Sequence, residues 1–406
     1  MRTRRLVPCL AAAAVLAAIL AGCGGSSKSA SSTTTSASSG KPIVIGFATA
    51  ESGAFAAYDI PAVQGAKLKI AEINAQGGLD GRLLKFVSAD TKTDIAQARV
   101  AADEVLGKGA KFLMTTCDFD YGAPSALEAE KQNVVAFSSC AGSNKFRPAT
   151  FGPLAFSMAV ATPAESAAVA EFAYDQKKLR TAYVLVDPSI DQTKQSAQAF
   201  TDRWMSLGGT IVGQDTFQQG DQSIAAQITR VQDLPKPPDA IYVSSYPPGG
   251  ARAIRQVRAA GIKSTILGDS NFDGDYWVSS IPGLTNYYHD AYAAIDGKDP
   301  NAKMNAVVAD FRKTYGHPPD TSLGFTSGYS VIEALARGYN VAKTTDGKEL
   351  AKAFESFRNV PLLIGPTTFN TQTHITPKRP VRIIAITDGR PVYVTTLTAK
   401  EVPSIQ

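Results

Sequence analysis

The residue types that could do chemistry are most concentrated in residues 115–124, which read TTCDFDYGAP. Asp118 and Asp120 alternate with the rings of Phe119 and Tyr121, and Cys117 precedes them after a short apolar run. An ionised carboxylate can only accept hydrogen bonds, so this pair favours a donor-rich partner such as a cation, an amide, a polyol or a nucleoside. The rings would supply apolar or stacking walls. The stretch therefore predicts contact with a small ligand rather than with open solvent.

Cys117 and Cys140 each follow the end of a predicted strand, and the two strands are expected to be neighbours in a parallel sheet. Neighbouring strands lie about 4.8 Å apart, which is within the reach of a disulfide. The sequence therefore predicts a Cys117–Cys140 disulfide, with two free buried thiols or a metal site as the alternatives. Neither His nor a further Cys stands nearby, so we expect no metal site and no cofactor.

The remaining reactive residues do not indicate catalysis. The three histidines, His289, His317 and His374, are far apart in the sequence and lack metal-ligand spacing. A nucleophilic serine needs a base within hydrogen-bond reach, and scattered histidines argue against one. The sequence therefore predicts a binding protein and not an enzyme.

The elements that must position these residues alternate between strand and helix from Lys41 onward, which is typical of parallel sheets covered by helices. The alternation restarts near residue 160, and 406 residues suit two domains. We therefore expect an α/β fold of two doubly wound parallel-sheet lobes. The first lobe is expected to comprise 41–158 and 286–360, and the second 159–285 and 361–406.

Two local signals mark element boundaries. Asp94 predicts the N-cap of a helix that runs to about Leu106. Asp388-Gly389 lies between two strand-like runs and predicts a β-hairpin.

The carboxyl ends of parallel strands are the places where open sheets bind ligands. In the first lobe the loops at such ends are 48–58, 115–124 and 138–144; in the second they are 187–191, 245–249 and 268–273. Two facing lobes would bring all six loops to one cleft.

The first 40 residues predict where the protein is located. A basic start and an 11-residue apolar run, too short to span a bilayer, predict a signal peptide over residues 1–22. The ending Leu20-Ala21-Gly22-Cys23 resembles the lipidation signal of bacterial lipoproteins, in which the Cys carries a lipid such as palmitate. Residues 24–40 contain no large apolar side chain, so residues 23–40 are expected to form a lipidated Cys and a flexible linker.

Charge gives no reason to expect nucleic acid as a partner. Without Arg2, Arg4 and Arg5 of the predicted signal peptide, 38 Lys and Arg stand against 36 Asp and Glu. No basic run is present to form a nucleic-acid surface.

The segment SGAFAAYDIPAVQGAKLKIAEINAQGGLDGRLLKF resembles the start of the leucine/isoleucine/valine-binding protein family. GARAIRQVRAAGIKSTILGD and IGPTTFN resemble later parts of the same pattern. The resemblance extends over nearly the whole chain after Lys41. It implies the type I periplasmic binding protein fold, in which two lobes joined by a three-strand hinge close on a small polar solute without chemistry.

The resemblance also implies a set of ligand-binding positions in both lobes. These positions are Tyr58, Ser139, Ala141, Ser143, Asp191, Tyr246, Asp269, Ser270 and Asn271. The sequence departs from the pattern at Asp118, Phe119 and Asp120, where relatives that bind amino acids carry small hydroxyl residues for a carboxylate. Two negative charges near 4–6 Å would repel a carboxylate, so these three residues predict a different ligand contact.

The function implied is that of an exported, lipid-anchored receptor at the outer face of the cell membrane. It would capture an amino acid, an amide or a related solute and deliver it to the permease and ATPase subunits of an ABC importer. A ligand-sensing module of the same fold, which signals to a membrane partner, is the alternative.

Overall fold

The computed structural model of the chain describes residues 40–404. The predicted signal peptide, Cys23 and nearly all of the predicted linker lie outside the described residues. Among residues 40–404, no helix combines the length and the apolar character that crossing a bilayer requires.

The smaller sheet has five parallel strands in the order β2-β1-β3-β4-β5. Its strands are β1 (Ile43–Thr49), β2 (Leu84–Asp90), β3 (Phe112–Thr115), β4 (Ala136–Ser138) and β5 (Ala155–Ser157). The helices between them are α1 (Ala56–Ala75), α2 (Ile95–Gly107), α3 (Phe119–Lys131) and α4 (Pro148–Phe151). The N-cap predicted at Asp94 is confirmed, because its Oδ1 accepts a hydrogen bond from the Gln97 N–H at 2.7 Å.

The larger sheet has seven strands, which belong mostly to the second half of the chain. Its strands are β6 (Thr181–Val186), β7 (Thr210–Thr216), β8 (Ala240–Ser244), β9 (Thr265–Gly268), β10 (Tyr287–Ala291), β13 (Val381–Thr387) and β14 (Arg390–Leu397). Two further strands, β11 (Val360–Leu362) and β12 (Gly365–Thr367), form a separate two-stranded ribbon. The sheet order is β14-β13-β10-β9-β8-β6-β7, and only the β10–β13 and β13–β14 pairs are antiparallel.

The helices that follow β5 first alternate with these strands, and the last three follow one another after β10. They are α5 (Thr162–Glu171), which continues as a π-helical turn over Phe172–Gln176, α6 (Asp191–Ser206), α7 (Ala225–Gln232), α8 (Gly249–Ala259), α9 (Ala302–Tyr315), α10 (Ser322–Ala342) and α11 (Gly347–Glu355). The predicted hairpin is confirmed: Asp388 and Gly389 have φ angles of 50° and 75°, which suit a tight two-residue turn between β13 and β14. The predicted α/β class with parallel sheets is likewise confirmed.

The segments that pass between the two sheets contact one another. Val160, just after β5, forms a bridge with Thr376, just before β13. Tyr292, just after β10, accepts a hydrogen bond from the Val160 N–H at its Oη (3.3 Å). Three chain crossings therefore meet at one place, which is where a hinge between two lobes is expected.

Strand pairing differs in one respect from the predicted division of the chain. Residues 286–360 were expected in the first lobe, but β10 pairs with β9 and β13 of the larger sheet. The change of sheet comes after Ala291, because the following helices pack with the first part of the chain. The exact lobe limits remain a prediction.

Helix α1 is held against α10 by close backbone contact. A Cβ added at Gly328 would collide with the backbone of Ala62, and one added at Gly324 would collide with the carbonyl of Tyr58. Glycines at both positions therefore let the two helices approach closely. This contact fixes the first turns of α1, which carry Tyr58 into the region between the lobes.

Candidate ligand-binding site

Two of the predicted ligand loops are joined covalently. Cys117 and Cys140 form a disulfide with their Cα atoms 4.6 Å apart, as the sequence predicted. The residues follow β3 and β4, which are adjacent in the smaller sheet. The disulfide therefore fixes the loop at 117–121 against the loop at 139–143.

Asp59 joins two strand ends of the first lobe and was missed in the sequence. Its fully buried carboxylate accepts the N–H of Ala50 at 2.6 Å and the N–H of Cys117 at 2.8 Å. Burial raises the pKa of Asp59 to about 7, although the two backbone hydrogen bonds oppose this shift. The available signal was a carboxylate on the otherwise buried face of a helix, next to Tyr58.

Asp118 has a structural role, as a helix cap, that was not predicted from the sequence. Its Oδ1 accepts the N–H of Tyr121 at 3.1 Å, so it is the N-cap of α3. The residue is only 3% exposed. Burial raises the pKa of Asp118 to about 7, and the neighbouring charge of Asp120 contributes to the increase. Its contact with a ligand remains a prediction.

Asp120 and Asp191 connect the two lobes. Asp120 Oδ2 accepts the backbone N–H of Asp191 at 2.8 Å, at the first residue of α6. The Asp191 carboxylate accepts the hydroxyl of Ser143 at 2.7 Å and the side-chain amide of Gln195 at 2.5 Å. Lys145 Nζ lies 2.9 Å from Asp191 Oδ1. Lys145 and Gln195 were not predicted, because only the fold brings them to Asp191.

Four aromatic rings from both lobes form a second connection. The ring of Phe55 lies 6.0 Å from that of Tyr58, 5.1 Å from that of Tyr121 and 5.6 Å from that of Tyr246, measured between ring centres. Tyr246 belongs to the second lobe, whereas the other three belong to the first. Phe55 was not among the predicted ligand residues, although it lies three residues before Tyr58 in the predicted ligand loop 48–58.

Phe119 lies in a different cluster. Its ring contacts Phe146 and Phe151 at 5.4 and 5.1 Å between centres, and Lys145 Nζ lies 5.2 Å from the ring centre. Helix α3 turns the side chain of Phe119 away from Phe55. The structure therefore does not bring this residue into the aromatic cluster that spans the lobes.

Three hydrogen-bond donors of the 139–143 loop are engaged by the protein. The Ala141 N–H donates to Ser138 Oγ at 3.1 Å. The Ser139 hydroxyl faces Cys140 Sγ at 3.9 Å. The Ser143 hydroxyl is taken by the second lobe. In this closed arrangement the loop presents no spare donor of these three.

Asp269 is held by residues of its own lobe. Its carboxylate accepts the hydroxyls of Ser244 at 2.8 Å and Ser196 at 3.1 Å, and the N–H of Asn271 at 3.2 Å. Burial raises the pKa of Asp269 to about 7, although these hydrogen bonds lower it in part. The side chain therefore supports the loop that follows β9.

The neighbours of Asp269 face the first lobe and the hinge. The backbone carbonyl of Asn271 accepts the hydroxyl of Tyr58 at 2.6 Å, and the Asn271 amide donates to Gln192 at 2.5 Å. Ser270 donates to Glu165 at 3.0 Å, near the start of α5. Tyr58 and Asn271 thus meet across the lobes, whereas Ser270 lies toward the hinge.

Two openings of about 460 Å³ each lie along the border between the lobes. The first is bordered by Gly53, Ala54, Ala57, Pro247, Pro248 and Tyr276. The second is bordered by Asn144, Lys145, Asp191, Lys194 and Gln195. Both therefore combine residues of the two lobes.

Comparison with known proteins agrees with this architecture. The family described as "Periplasmic binding protein" matches residues 42–391. The Leu/Ile/Val-binding protein of Escherichia coli strain K12 is 23% identical over 331 residues, covering 81% of this chain and 86% of that protein. The Leu/Ile/Val-binding protein BraC3 of Rhizobium johnstonii is 25% identical over 341 residues, covering 82% and 89%.

Solved structures show the same fold. The branched-chain amino acid transporter substrate binding protein LivJ of Streptococcus pneumoniae, in complex with isoleucine, superposes with a TM-score of 0.79 at 23% identity, covering 88% of this chain and 99% of that one. A solute binding protein of an ABC transporter from R. palustris, in complex with benzoate, gives a TM-score of 0.73 at 19% identity, covering 87% and 96%.

Proposed function

The chain belongs to the periplasmic binding protein family, and from this premise we propose that it is an extracytoplasmic receptor that captures a small polar solute for an ABC importer. The family consists of solute-binding proteins and not of enzymes, and it implies a location outside the cytoplasm. The curated relatives carry the name of Leu/Ile/Val-binding proteins, and the solved neighbours hold isoleucine or benzoate.

The observation that carries this proposal is the meeting of strand-end loops from both lobes. Asp120 contacts Asp191, Tyr58 contacts Asn271, and Phe55 stacks near Tyr246, each pair joining the first lobe to the second. Such contacts can form only when the lobes are closed. A solute held between the same loops would stabilise closure, and a permease can then distinguish the loaded receptor from the empty one.

The ligand contacts that we propose come from these loops. They are Tyr58, Asp118, Asp120, Asp191, Tyr246 and Asn271, whereas Ser139, Ala141, Ser143, Asp269 and Ser270 support the loops that carry these contacts. Phe55 and Tyr121 join this set because their rings line the same junction. The solute class includes amino acids, amides and related compounds.

We also propose that Cys23 carries a lipid and that the segment before Lys41 tethers the receptor to the membrane. The basis is Leu20-Ala21-Gly22-Cys23. Cys23→Ser is expected to release the protein from membranes or to block its processing, as measured by membrane fractionation and mass spectrometry. A Ser variant that stays in the membrane fraction at the normal mature mass would contradict the anchor.

A thermal-shift screen of amino acids, amides, amines, aromatic acids, sugars and nucleosides tests the receptor function. A ligand at 100 times its dissociation constant adds about 2.7 kcal/mol to the free energy of unfolding. We expect at least one small solute to raise the melting temperature and to bind with one-to-one stoichiometry by calorimetry. A chain that binds none of these classes would contradict the function. Reconstitution with the permease then separates import from sensing.

A further inference from the structure

Two donors that the first-lobe loop after β4 could offer to a carboxylate are already bound within the protein. The Ala141 N–H is bound to Ser138 Oγ, and the Ser143 hydroxyl is bound to Asp191. Lys145, two residues after Ser143, is paired with the same Asp191. A carboxylate that bound to these three groups would therefore have to displace protein acceptors that are already in place.

Two carboxylates without a cationic partner lie on the neighbouring loop. Asp118 accepts the Tyr121 N–H at 3.1 Å and the Asp120 N–H, and no Lys, Arg or His of residues 40–404 forms an ion pair with its carboxylate. Asp120 Oδ2 accepts the Asp191 N–H, and within the described part of the chain this carboxylate likewise has no cationic partner. Asp118 is 97% buried, so water reaches its carboxylate poorly. A buried carboxylate with no cation beside it is a costly arrangement that a bound ammonium or guanidinium group would relieve.

Aromatic residues lie near these carboxylates, since the Tyr121 N–H is bonded to Asp118 and the Tyr121 ring contacts Phe55. Burial, followed by the charge of Asp118, raises the pKa of Tyr121, and Asp118 is also among the charges that act on Tyr246. Phe55 lies between the two tyrosine rings, at 5.1 and 5.6 Å from their centres. The faces of aromatic rings attract cations, most strongly where water is excluded.

We infer that the solute is a small organic cation, such as an amine, an amidine or a guanidine, that has an apolar body and lacks a carboxylate. This inference rests on the proposed receptor function and specifies its solute. The ammonium or guanidinium group would donate to the carboxylates of Asp118 and Asp120. The apolar body would pack between the rings of Phe55, Tyr121 and Tyr246 as the lobes close.

Three ligands of nearly equal shape but different charge test whether the site selects an ammonium or a carboxylate group. Leucine carries an ammonium and a carboxylate, 3-methylbutylamine keeps only the ammonium, and 4-methylpentanoate keeps only the carboxylate. We expect 3-methylbutylamine to bind at least tenfold more tightly than leucine, and 4-methylpentanoate to give no measurable heat in calorimetry at pH 7.5. Guanidinium and butylamidine serve as further cationic probes.

Variants of the full mature chain test the assigned residues. Asp118→Asn keeps a side chain that can cap α3 but removes its charge, so it separates binding from folding. We expect Asp118→Asn and Asp120→Asn to weaken 3-methylbutylamine by about thirtyfold or more, as for other buried charge pairs that lose one partner. Asp103→Asn, on the exposed face of α2, is the matched control and should leave affinity unchanged.

The outcomes distinguish this inference from the receptor function. Tighter binding of leucine or 4-methylpentanoate than of the amine overturns the cationic solute but leaves a receptor. Binding of only neutral sugars or nucleosides in the wider screen has the same meaning. If Asp118→Asn and Asp120→Asn bind the amine as tightly as wild type does, these two carboxylates do not bind the cation and the inference is overturned. If no solute of any class binds, the receptor function fails together with the inference.

Discussion

Asp120 Oδ2 in the first lobe accepts the backbone N–H of Asp191 in the second lobe at 2.8 Å. This N–H belongs to the first turn of α6, where helix N–H groups lack partners within the helix. The carboxylate of Asp120 also lies at the positive end of that helix dipole. The contact thus fixes α6 against the loop that follows β3. The Asp191 side chain adds a hydrogen bond with Ser143 and an ion pair with Lys145 to the same junction.

Asp191→Ala is expected to shift the protein toward an open arrangement of its lobes. The substitution removes the acceptor for Ser143, Lys145 and Gln195, while the backbone contact with Asp120 can persist. Charged hydrogen bonds contribute about 1.5–3 kcal/mol each, so we expect the affinity for the solute to fall at least tenfold. Small-angle X-ray scattering measures the larger radius of gyration and calorimetry the affinity.

Asp202→Ala is the control for that experiment, since it lies on the same helix and bonds to Gln198. It should change neither the radius of gyration nor the affinity. An Asp191→Ala protein as compact as wild type, with unchanged affinity, would show that this junction does not hold the lobes closed.

Loss of the Cys117–Cys140 disulfide is expected to reduce both stability and affinity. The two residues are 23 positions apart, and the chain-entropy model gives about 3 kcal/mol for closing such a loop. The Cys117→Ser/Cys140→Ser protein should therefore unfold at lower urea concentration. Because the bond also joins two ligand loops, we expect weaker solute binding under native conditions. Unchanged urea midpoint and affinity would contradict both roles.

Gly328→Ala is expected to destabilise the protein by about 1–3 kcal/mol, because the new methyl group would collide with the backbone of Ala62. Helices α1 and α10 would have to separate, which would also move Tyr58. Gly107→Ala is the matched control, since a Cβ there meets no atom within 4 Å. Urea unfolding compares the two variants. Equal stability of both would mean that the α1–α10 contact can adjust.

Local signals explain what the sequence could predict of the fold. Asp94 starts α2 and Asp388-Gly389 closes a hairpin, since both depend on neighbouring residues only. The disulfide was predictable because it joins the ends of adjacent strands. Residues from 286 onward were expected in the first lobe, but β10 pairs with strands of the larger sheet. The residues of a strand do not by themselves indicate which sheet the strand joins.

Contacts between distant segments explain what the sequence could not show in the site. Asp59 reaches Cys117 over 58 positions, and Phe55 reaches Tyr246 only after the lobes meet. Phe119 was expected beside Asp118 and Asp120 because they are consecutive, but on a helix consecutive side chains point in different directions. Residue type predicted the acidic character of the site, whereas its partners depend on the tertiary fold.

The charges around Asp118 set the direction of its titration. Burial is the main reason that its pKa is raised from 3.8 to about 7, and the charges of Asp120 and Asp191 add to it. Asp59, Tyr121 and Tyr246 also interact with Asp118, and Lys145 reaches this region through its pair with Asp191. Between about pH 4 and pH 7, Asp118 therefore keeps its proton in the folded protein, whereas the same residue in the unfolded chain has already lost it.

Stability from Asp118 is therefore greatest near pH 4, falls as the pH rises to about 7 and stays low above that value. Asp118→Asn removes this titration but keeps a capping side chain, so it should be more stable than wild type at pH 8 and nearly equal at pH 4.5. Asp118→Ala also loses the cap of α3, which costs about 1 kcal/mol at both pH values. Urea unfolding of the three proteins without solute, at both pH values, measures these differences. An Asn variant that is no more stable than wild type at pH 8 would indicate that the carboxylate is well solvated, so a bound cation would not be needed to offset the burial of its charge.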